Sequence, residues 1–173
     1  MMVAIETARL HIRNFTPADW AAFQEVILHY QASPSAQYEP RWPTSAAEVQ
    51  GIVSWFATGD EYLCVVLKTT NTIIGLLAIE RRNDQAEQVH NLGYVFDPVY
   101  QGHGYATEGC RAVMRYLFIE RGATAIHTGT HPDNQASVHL LSKLGLHRLN
   151  ENEFVLSRAA WQALPSAPLS ADR

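Results

Sequence analysis

The chain has 173 residues, 47% of them hydrophobic and 17% charged, which is typical of a folded protein and excludes a disordered one. Thirteen Lys and Arg against 17 Asp and Glu give a net charge of −4, which argues against nucleic-acid binding. No apolar run reaches the roughly 20 residues of a membrane helix, and no signal peptide is visible. We therefore expect a cytoplasmic protein without nucleic-acid or membrane partners.

The first half of the chain predicts one strand and two helices. Residues Arg9–Asn14 alternate as a strand does, and Thr16–Pro17 is a typical helix start. A proline-containing loop leads to a second helix, whose capping box is Ser45 with Glu48 and whose end is marked by Gly59.

The second half predicts three strands, a helix, a strand, a helix and two short strands. The three consecutive strands are Tyr62–Lys68, Ile73–Arg81 and Gln88–Phe96, and the strand after the long helix is Thr124–Thr130. We refer to Gln88–Phe96 and Thr124–Thr130 as the fourth and fifth predicted strands. This order predicts a mixed α/β (α+β) fold with helices flanking the sheet. Its length suits one domain over residues 1–164, with a loosely ordered tail at residues 165–173.

Cysteine and histidine spacing predicts no metal or redox site. Cys64 and Cys110 lie in apolar segments and are expected to be buried thiols. His127 and His131 share one face of the fifth predicted strand, but no third ligand accompanies them.

A glycine-rich turn at residues 101–106 carries the clearest functional signal. It follows Asp97-Pro98 and precedes a long helix, so its backbone N–H groups converge at a helix N-terminus and favour an anion. Gly102 and Gly104 permit unusual dihedral angles and close approach of a phosphate. The turn matches neither a nucleoside-triphosphate loop nor Gly-x-Gly-x-x-Gly. From glycine spacing alone, a tight connection without a ligand is an equally good interpretation.

Gln101-Gly102-His103-Gly104-Tyr105-Ala106 resembles the Arg/Gln-x-x-Gly-x-Gly/Ala diphosphate motif of the GCN5-related N-acetyltransferases (GNAT). The flanking segments resemble the branch that contains the ribosomal-protein alanine N-acetyltransferases. The segments that carry this likeness, in chain order over residues 7 to 162, are Thr7–Pro17, Gly93–Pro98, Tyr105–Glu108, Asn134–Leu146 and Phe154–Trp161.

The resemblance implies a mostly antiparallel sheet whose fourth and fifth predicted strands splay apart to admit acetyl-CoA, the co-substrate. The implied activity is transfer of the acetyl group to a primary amine of a protein N-terminus or a small molecule, by direct attack on the thioester. The implied cofactor contacts are main-chain groups of Tyr94, Val95 and Phe96, the turn residues Gln101, Gly102, His103, Gly104, Tyr105 and Ala106, the Thr107 hydroxyl, and Asn134. Asn134 is also a good helix cap whatever it binds.

The resemblance implies catalytic residues less clearly. Ser137 is expected near the thioester sulfur, or it is simply solvated. Many members of the branch carry a glutamate where this chain has Asn91, and an amide cannot act as a base. His90 is adjacent but faces the other side of the strand unless a bulge turns it. The remaining candidates are Glu39, Glu80, Glu87, His131, and a water molecule oriented by Asn91.

The acceptor side is the least defined by the sequence. Tyr38 and Trp42, in the proline-containing loop, are the predicted substrate-binding residues. A short connection at Asn150–Asn152 implies either an open pocket or one completed by a second subunit of a homodimer. Two alternatives remain open: a catalytically silent CoA-binding sensor or interaction module, and an acyltransferase that uses another acyl group or an alcohol.

Overall fold

A computed structural model describes residues 2–82 and 88–165. The candidate Glu87 and the predicted tail beyond Pro165 lie outside the described residues. The strands are β1 Ala4–Glu6, β2 Leu10–Asn14, β3 Tyr62–Leu67, β4 Thr72–Ala78, β5 Val89–Asn91, β6 Gly93–Phe96, β7 Ala125–Gly129, β8 His147–Arg148 and β9 Glu153–Ser157. The helices are α1 Trp20–Gln31, α2 Ala46–Phe56, α3 Tyr105–Ile119, α4 Gln135–Lys143 and α5 Arg158–Ala163.

The strands form two sheets that meet at one strand break. The first sheet has the order β1-β2-β3-β4-β6 and is antiparallel throughout. The second has the order β5-β7-β9-β8, in which only the β5–β7 pair is parallel. The predicted mixed, mostly antiparallel fold with splayed strands is therefore confirmed.

The break lies at Leu92, between β5 and β6. The sequence predicts one continuous strand from Gln88 to Phe96, and this prediction is wrong in that the structure divides it into β5 and β6. On one side the backbone pairs with β4 from Gly93 onward and with residues 80–82 before the break. On the other side it pairs with β7 only up to Asn91. Leu92 itself is fully buried, and its N–H donates to the His127 carbonyl at 2.8 Å. The sequence in this stretch contains neither a proline nor a turn motif, so it gives no local signal that the pairing with β7 ends.

Two hydrophobic cores lie on opposite faces of the first sheet. Neighbouring residues of β4 illustrate the separation: Leu76 packs in the core covered by α1 and α2, whereas Leu77 packs in the core covered by α3. The two cysteines divide in the same way, with Cys64 in the first core and Cys110 in the second. Both are free and buried, as predicted.

Two short strands, β1 and β8, differ from the prediction. Strand β1 was not predicted, since three residues carry too little periodicity. The short strand expected near Leu146–Leu149 is reduced to the two residues of β8. In the part of the chain that the structure describes, no helix is long and apolar enough to span a membrane.

Candidate functional site

A cavity of about 570 Å³ adjoins the strand break. Strand β6, the turn before α3, the first residues of α4 and the α1–α2 connection form much of its walls, and residues of α1, β3, β4, β5 and β7 complete them. The lining residues used below are Tyr30, Glu39, Trp42, Tyr62, Asn91, Tyr94, Val95, Phe96, Gln101, Gly102, Gly104, Tyr105, Ala106, Thr107, Asn134 and Ser137. The structure thus brings most of the predicted cofactor residues together.

Strand β6 lines the cavity with an open backbone edge. One edge of β6 pairs with β4, and no strand in the described ranges 2–82 and 88–165 pairs with the other. Strand β7, past its last pairing with β5 at His127, bonds only to β9 on its far side. The cavity therefore offers unpaired main-chain donors and acceptors to an extended ligand.

The turn before α3 has the geometry of an anion site. Gly102 and Gly104 both have φ of +79°, which favours glycine at these positions. The first helical bond runs from the Glu108 N–H to the Gly104 carbonyl. Within the described chain, the N–H groups of residues 102–107 make no backbone hydrogen bond outside the helix. These free donors at the positive end of a helix dipole favour a negatively charged group.

Arg9 and Glu108 clamp this turn, a role that sequence reasoning missed. The Arg9 guanidinium donates to the His103 carbonyl at 2.8 Å, pairs with the Glu108 carboxylate at 2.6 Å, and lies 4.5 Å above the Tyr105 ring. Glu108 also accepts a 2.6 Å hydrogen bond from the Thr7 hydroxyl. The partners are about 100 positions apart in the chain, so no local pattern could have shown the contact.

Glu108 is held as a carboxylate by these contacts. Partial burial opposes its ionisation, but the hydrogen bonds from Thr7 and Arg9 outweigh that effect and lower the pKa of Glu108. Near neutral pH the charged Glu108 keeps Arg9 in place against the turn.

His103, predicted to bind cofactor, does not line the cavity. Its ring stacks on Tyr105 with centroids 5.6 Å apart, and its Nδ1–H donates to the Gln101 carbonyl at 2.9 Å. The side chain therefore braces the turn from outside, and only the His103 backbone belongs to the turn itself.

Ser137 and Tyr94 meet across the cavity. Their hydroxyl groups are hydrogen-bonded at 2.5 Å. Asn134 caps α4 by accepting from the Ser137 N–H at 3.3 Å and is only 7% exposed. Burial raises the pKa of Tyr94, so its hydroxyl stays protonated at neutral pH and can donate a proton or a hydrogen bond.

The side chains of Asn91 and His90 point to opposite faces of the strand, as strand alternation predicts. Asn91 lines the cavity. His90 is 1% exposed on the opposite face, where its Nδ1–H donates to the Ile79 carbonyl at 2.9 Å. The strand break follows these residues and does not turn His90 inward. The structure thus does not bring His90 to the cavity.

The end of the cavity beside Trp42 and Glu39 is aromatic and acidic. Trp42 lines it and packs edge-on against Phe23 at 6.0 Å. Glu39 is the one charged lining residue in the part of the chain that the structure describes. Partial burial raises the pKa of Glu39, and burial together with the Glu39 charge raises the pKa of Tyr30 to about 12. The sequence named Glu39 as a candidate without positional support, and Tyr30 was missed.

A second recess of about 330 Å³ adjoins this end and shares Glu39 and Gly129 with the cavity. Tyr38 lies here and not in the main cavity, stacked on His131 with centroids 5.3 Å apart. Thr130 also lines it, and its Oγ1 has no hydrogen-bond partner among the described residues. No cluster of three or more metal-ligating side chains occurs in residues 2–82 and 88–165.

The sequence profile of the "Acetyltransferase (GNAT) domain" matches residues 9–147. The chain belongs to the GNAT acetyltransferase family. The uncharacterized N-acetyltransferase YnaD of Bacillus subtilis is 30% identical over 146 residues, which are 83% of this chain and 82% of that protein. These likenesses confirm the resemblance predicted from the diphosphate motif, and the protein is an N-acetyltransferase.

Solved GNAT structures share the fold. The ribosomal-protein-S5-alanine acetyltransferase of Vibrio fischeri superposes with a TM-score of 0.79 at 17% identity, covering 92% of this chain and 98% of that one. RimL, a ribosomal L7/L12 α-N-protein acetyltransferase in complex with coenzyme A, superposes with a TM-score of 0.71 at 20% identity, covering 90% and 98%. At these identities the likeness establishes the GNAT fold alone.

The Arg9–Glu108 clamp predicts a pH-dependent stability. In Glu108→Gln the free energy of unfolding should fall by about 1–2 kcal/mol at pH 7, because a charged hydrogen-bond acceptor is lost. Since the folded pKa of Glu108 is lowered, this contribution is complete above the unfolded pKa and disappears as pH falls through the folded value. The deficit should therefore shrink below about pH 4.

Urea unfolding of both proteins at several pH values measures this. Glu120→Gln, at the exposed end of the same helix, is the control and should change stability by less than about 0.5 kcal/mol. A deficit of equal size at pH 3 and pH 7 would contradict the assignment.

Proposed function

We propose that this protein transfers the acetyl group of acetyl-CoA to a primary amine, on a small molecule or a protein N-terminus, by direct attack on the thioester. One observation carries the proposal: a single cavity is lined by the anion-favouring turn, the open edge of β6, and the acidic residue Glu39. These are the three recognition elements that a CoA diphosphate, a pantetheine arm and a cationic acceptor require.

The turn and β6 present hydrogen-bonding groups that match those of acetyl-CoA. The N–H groups of residues 102–107 are donors for the diphosphate, and the Thr107 hydroxyl also lines the cavity. The amide groups of pantetheine suit the unpaired main chain of Tyr94–Phe96. The solved RimL structure named above holds coenzyme A, which supports assigning this ligand to the same fold.

Tyr94 and Ser137 are the proposed donors to the departing thiolate. The amine must be neutral to attack, since an ammonium has no lone pair. Attack forms the C–N bond and places negative charge on the carbonyl oxygen, and collapse then breaks the C–S bond. The hydroxyl groups of Tyr94 and Ser137 are already paired at 2.5 Å, and a protonated tyrosine beside the sulfur can supply its proton.

The acceptor is proposed to enter beside Glu39 and Trp42. The carboxylate of Glu39 attracts a cationic amine into the cavity, and Tyr38, His131 and Thr130 in the second recess lie where the rest of the acceptor would extend. Structural neighbours that modify ribosomal proteins make a protein N-terminus one class to test, with small amines as the other.

The purified protein should release CoA thiol when it is incubated with acetyl-CoA and a panel of primary amines and N-terminal peptides. We expect at least one acceptor to raise thiol release well above hydrolysis, with the acetylated amine detected by mass spectrometry. Tight binding of acetyl-CoA with no transfer to any acceptor would overturn the proposal in favour of a CoA-binding sensor. Transfer to alcohols only would identify an O-acyltransferase.

The turn has its own test in Gly104→Glu. A glutamate there adds a like charge beside the diphosphate and strains a backbone with φ of +79°. We expect the affinity for CoA, measured by calorimetry, to fall at least about 100-fold, which corresponds to roughly 2.7 kcal/mol.

Gly122→Glu is the matched control. Gly122 also has a positive φ, of +72°, but it follows α3 at the end opposite the cavity. The Gly122→Glu variant introduces similar backbone strain and the same added charge, but away from the cavity. It should therefore leave the affinity for CoA unchanged. Equal affinities in Gly104→Glu and the wild type would exclude the turn as the diphosphate site.

A further inference from the structure

The proton released by the acceptor amine needs a destination that Asn91 cannot provide. An amide side chain is not a base at neutral pH. His90 faces the opposite core, so it cannot take the proton either. Another group near the same part of the cavity must therefore accept the proton.

Glu80 lies directly across the sheet from Asn91. The Asn91 N–H donates to the Glu80 carbonyl at 2.7 Å, which extends the antiparallel register that pairs Ala78 with Gly93. Directly opposed residues in such a ladder project from the same face of the sheet, with Cβ atoms about 5 Å apart. Glu80 is thus the nearest carboxylate-bearing position to residue 91 on that face.

Tyr62 connects Glu80 to the cavity. Tyr62 pairs with Ala78 on the neighbouring strand, and both residues line the cavity. The Tyr62 hydroxyl donates a short hydrogen bond to the Glu80 carboxylate. Its ring stacks on Phe56 with centroids 4.4 Å apart and also contacts Trp55 at 5.0 Å. These contacts fix the position of the Tyr62 side chain, which both lines the cavity and bonds to Glu80.

We propose that Glu80, acting through Tyr62, receives the proton of the attacking amine in place of the carboxylate that position 91 lacks. This rests on the proposed acetyl transfer. The acceptor first gives one proton to water, which leaves the neutral amine. As the C–N bond forms, an N–H bond of the amine breaks and its proton bonds to the Tyr62 oxygen. The original Tyr62 O–H bond breaks in the same step, and that proton bonds to Glu80. The amide product leaves neutral, Glu80 later returns its proton to water, and Tyr94 regains from water the proton that it gave to the thiolate.

The ionisation state of Tyr62 suits a group that passes a proton on. Burial first, and then the hydrogen bond to Glu80, raise the pKa of Tyr62, so the hydroxyl stays protonated between turnovers. In this arrangement Tyr62 is the catalytic residue that touches the acceptor, and Glu80 is a positioning residue that accepts the proton through it.

Several other charged groups lie near this pair among the described residues. Glu61 precedes Tyr62, and its carboxylate accepts from the Arg81 N–H at 3.2 Å. Arg82 contacts His127, which is the partner of Asn91 on β7. Glu39 lines the same cavity, so it is the rival destination for the proton.

The test compares Tyr62→Phe and Glu80→Gln with the wild type, using whichever amine the panel identifies as acceptor. Each change should lower kcat at least about 100-fold, while KM for acetyl-CoA stays unchanged. The double variant should be no slower than either single one, because both remove the same route. Over the pH range in which the wild-type kcat is constant, the kcat of each variant should still increase with pH.

A carboxylate placed at residue 91 should rescue the defect. Adding Asn91→Glu to Glu80→Gln moves the carboxylate to the opposed position and should recover at least about a tenth of wild-type kcat, whereas a merely structural loss would not recover. Glu61→Gln is the control that removes a neighbouring carboxylate and should keep wild-type kcat. Thermal unfolding and CoA affinity establish that each variant is folded.

Two results would overturn the inference. One is Tyr62→Phe or Glu80→Gln retaining more than about half of wild-type kcat. The other is Glu39→Gln abolishing the pH dependence while Glu80→Gln leaves it intact, which would assign the proton to Glu39. If the wild type transfers acetyl to no amine at all, the proposed function fails instead, so the two failures are distinguishable.

Discussion

The loss of pairing with β7 at Leu92 is the constraint on which the rest of the site depends. One edge of the chain stays paired with β4 and the residues that follow it, whereas the other edge pairs with β7 only up to Asn91, so two sheets diverge from one point. Leu92 is buried, and its N–H still bonds to β7, which anchors the point of divergence. An unpaired strand edge within a protein is costly unless something satisfies it. Here that edge faces a cavity, which is why we propose that it pairs with the pantetheine arm.

The divergence also determines which functional groups line each part of the cavity. The turn Gln101–Thr107 lies one short connection beyond β6, so a ligand that pairs with the edge meets free N–H groups at the start of α3. Before the break, the same strand presents Asn91 beside Glu80 and close to Tyr62. Cofactor binding and proton removal are thus proposed to depend on adjacent stretches of one strand. The Arg9–Glu108 pair keeps the turn fixed relative to the first sheet.

The sequence predicted the turn that lines the cavity better than the contacts around it, for a physical reason. Such a turn consists of local features (glycines, a preceding proline and a helix start), so residues 101–107 and Asn134 were predicted to lie together, and all of them except His103 line the cavity. Contacts such as Arg9 with Glu108 and Tyr62 with Glu80 join distant positions and leave no periodic signal. The break at Leu92 was missed because pairing with β7 is a contact with a distant segment, and no turn residue marks where that pairing ends. Tyr38 was predicted to bind substrate together with Trp42, but it lines the second recess and Trp42 lines the main cavity.

The central claim is that the open edge of β6 and the turn before α3 together hold acetyl-CoA, and amide NMR spectra recorded during titration with acetyl-CoA test it most directly. The account predicts that the largest shift changes fall on Gly93–Phe96 and Gly102–Thr107, in one saturable transition. Binding that leaves both stretches unchanged, with perturbations confined to other parts of the chain, would contradict it.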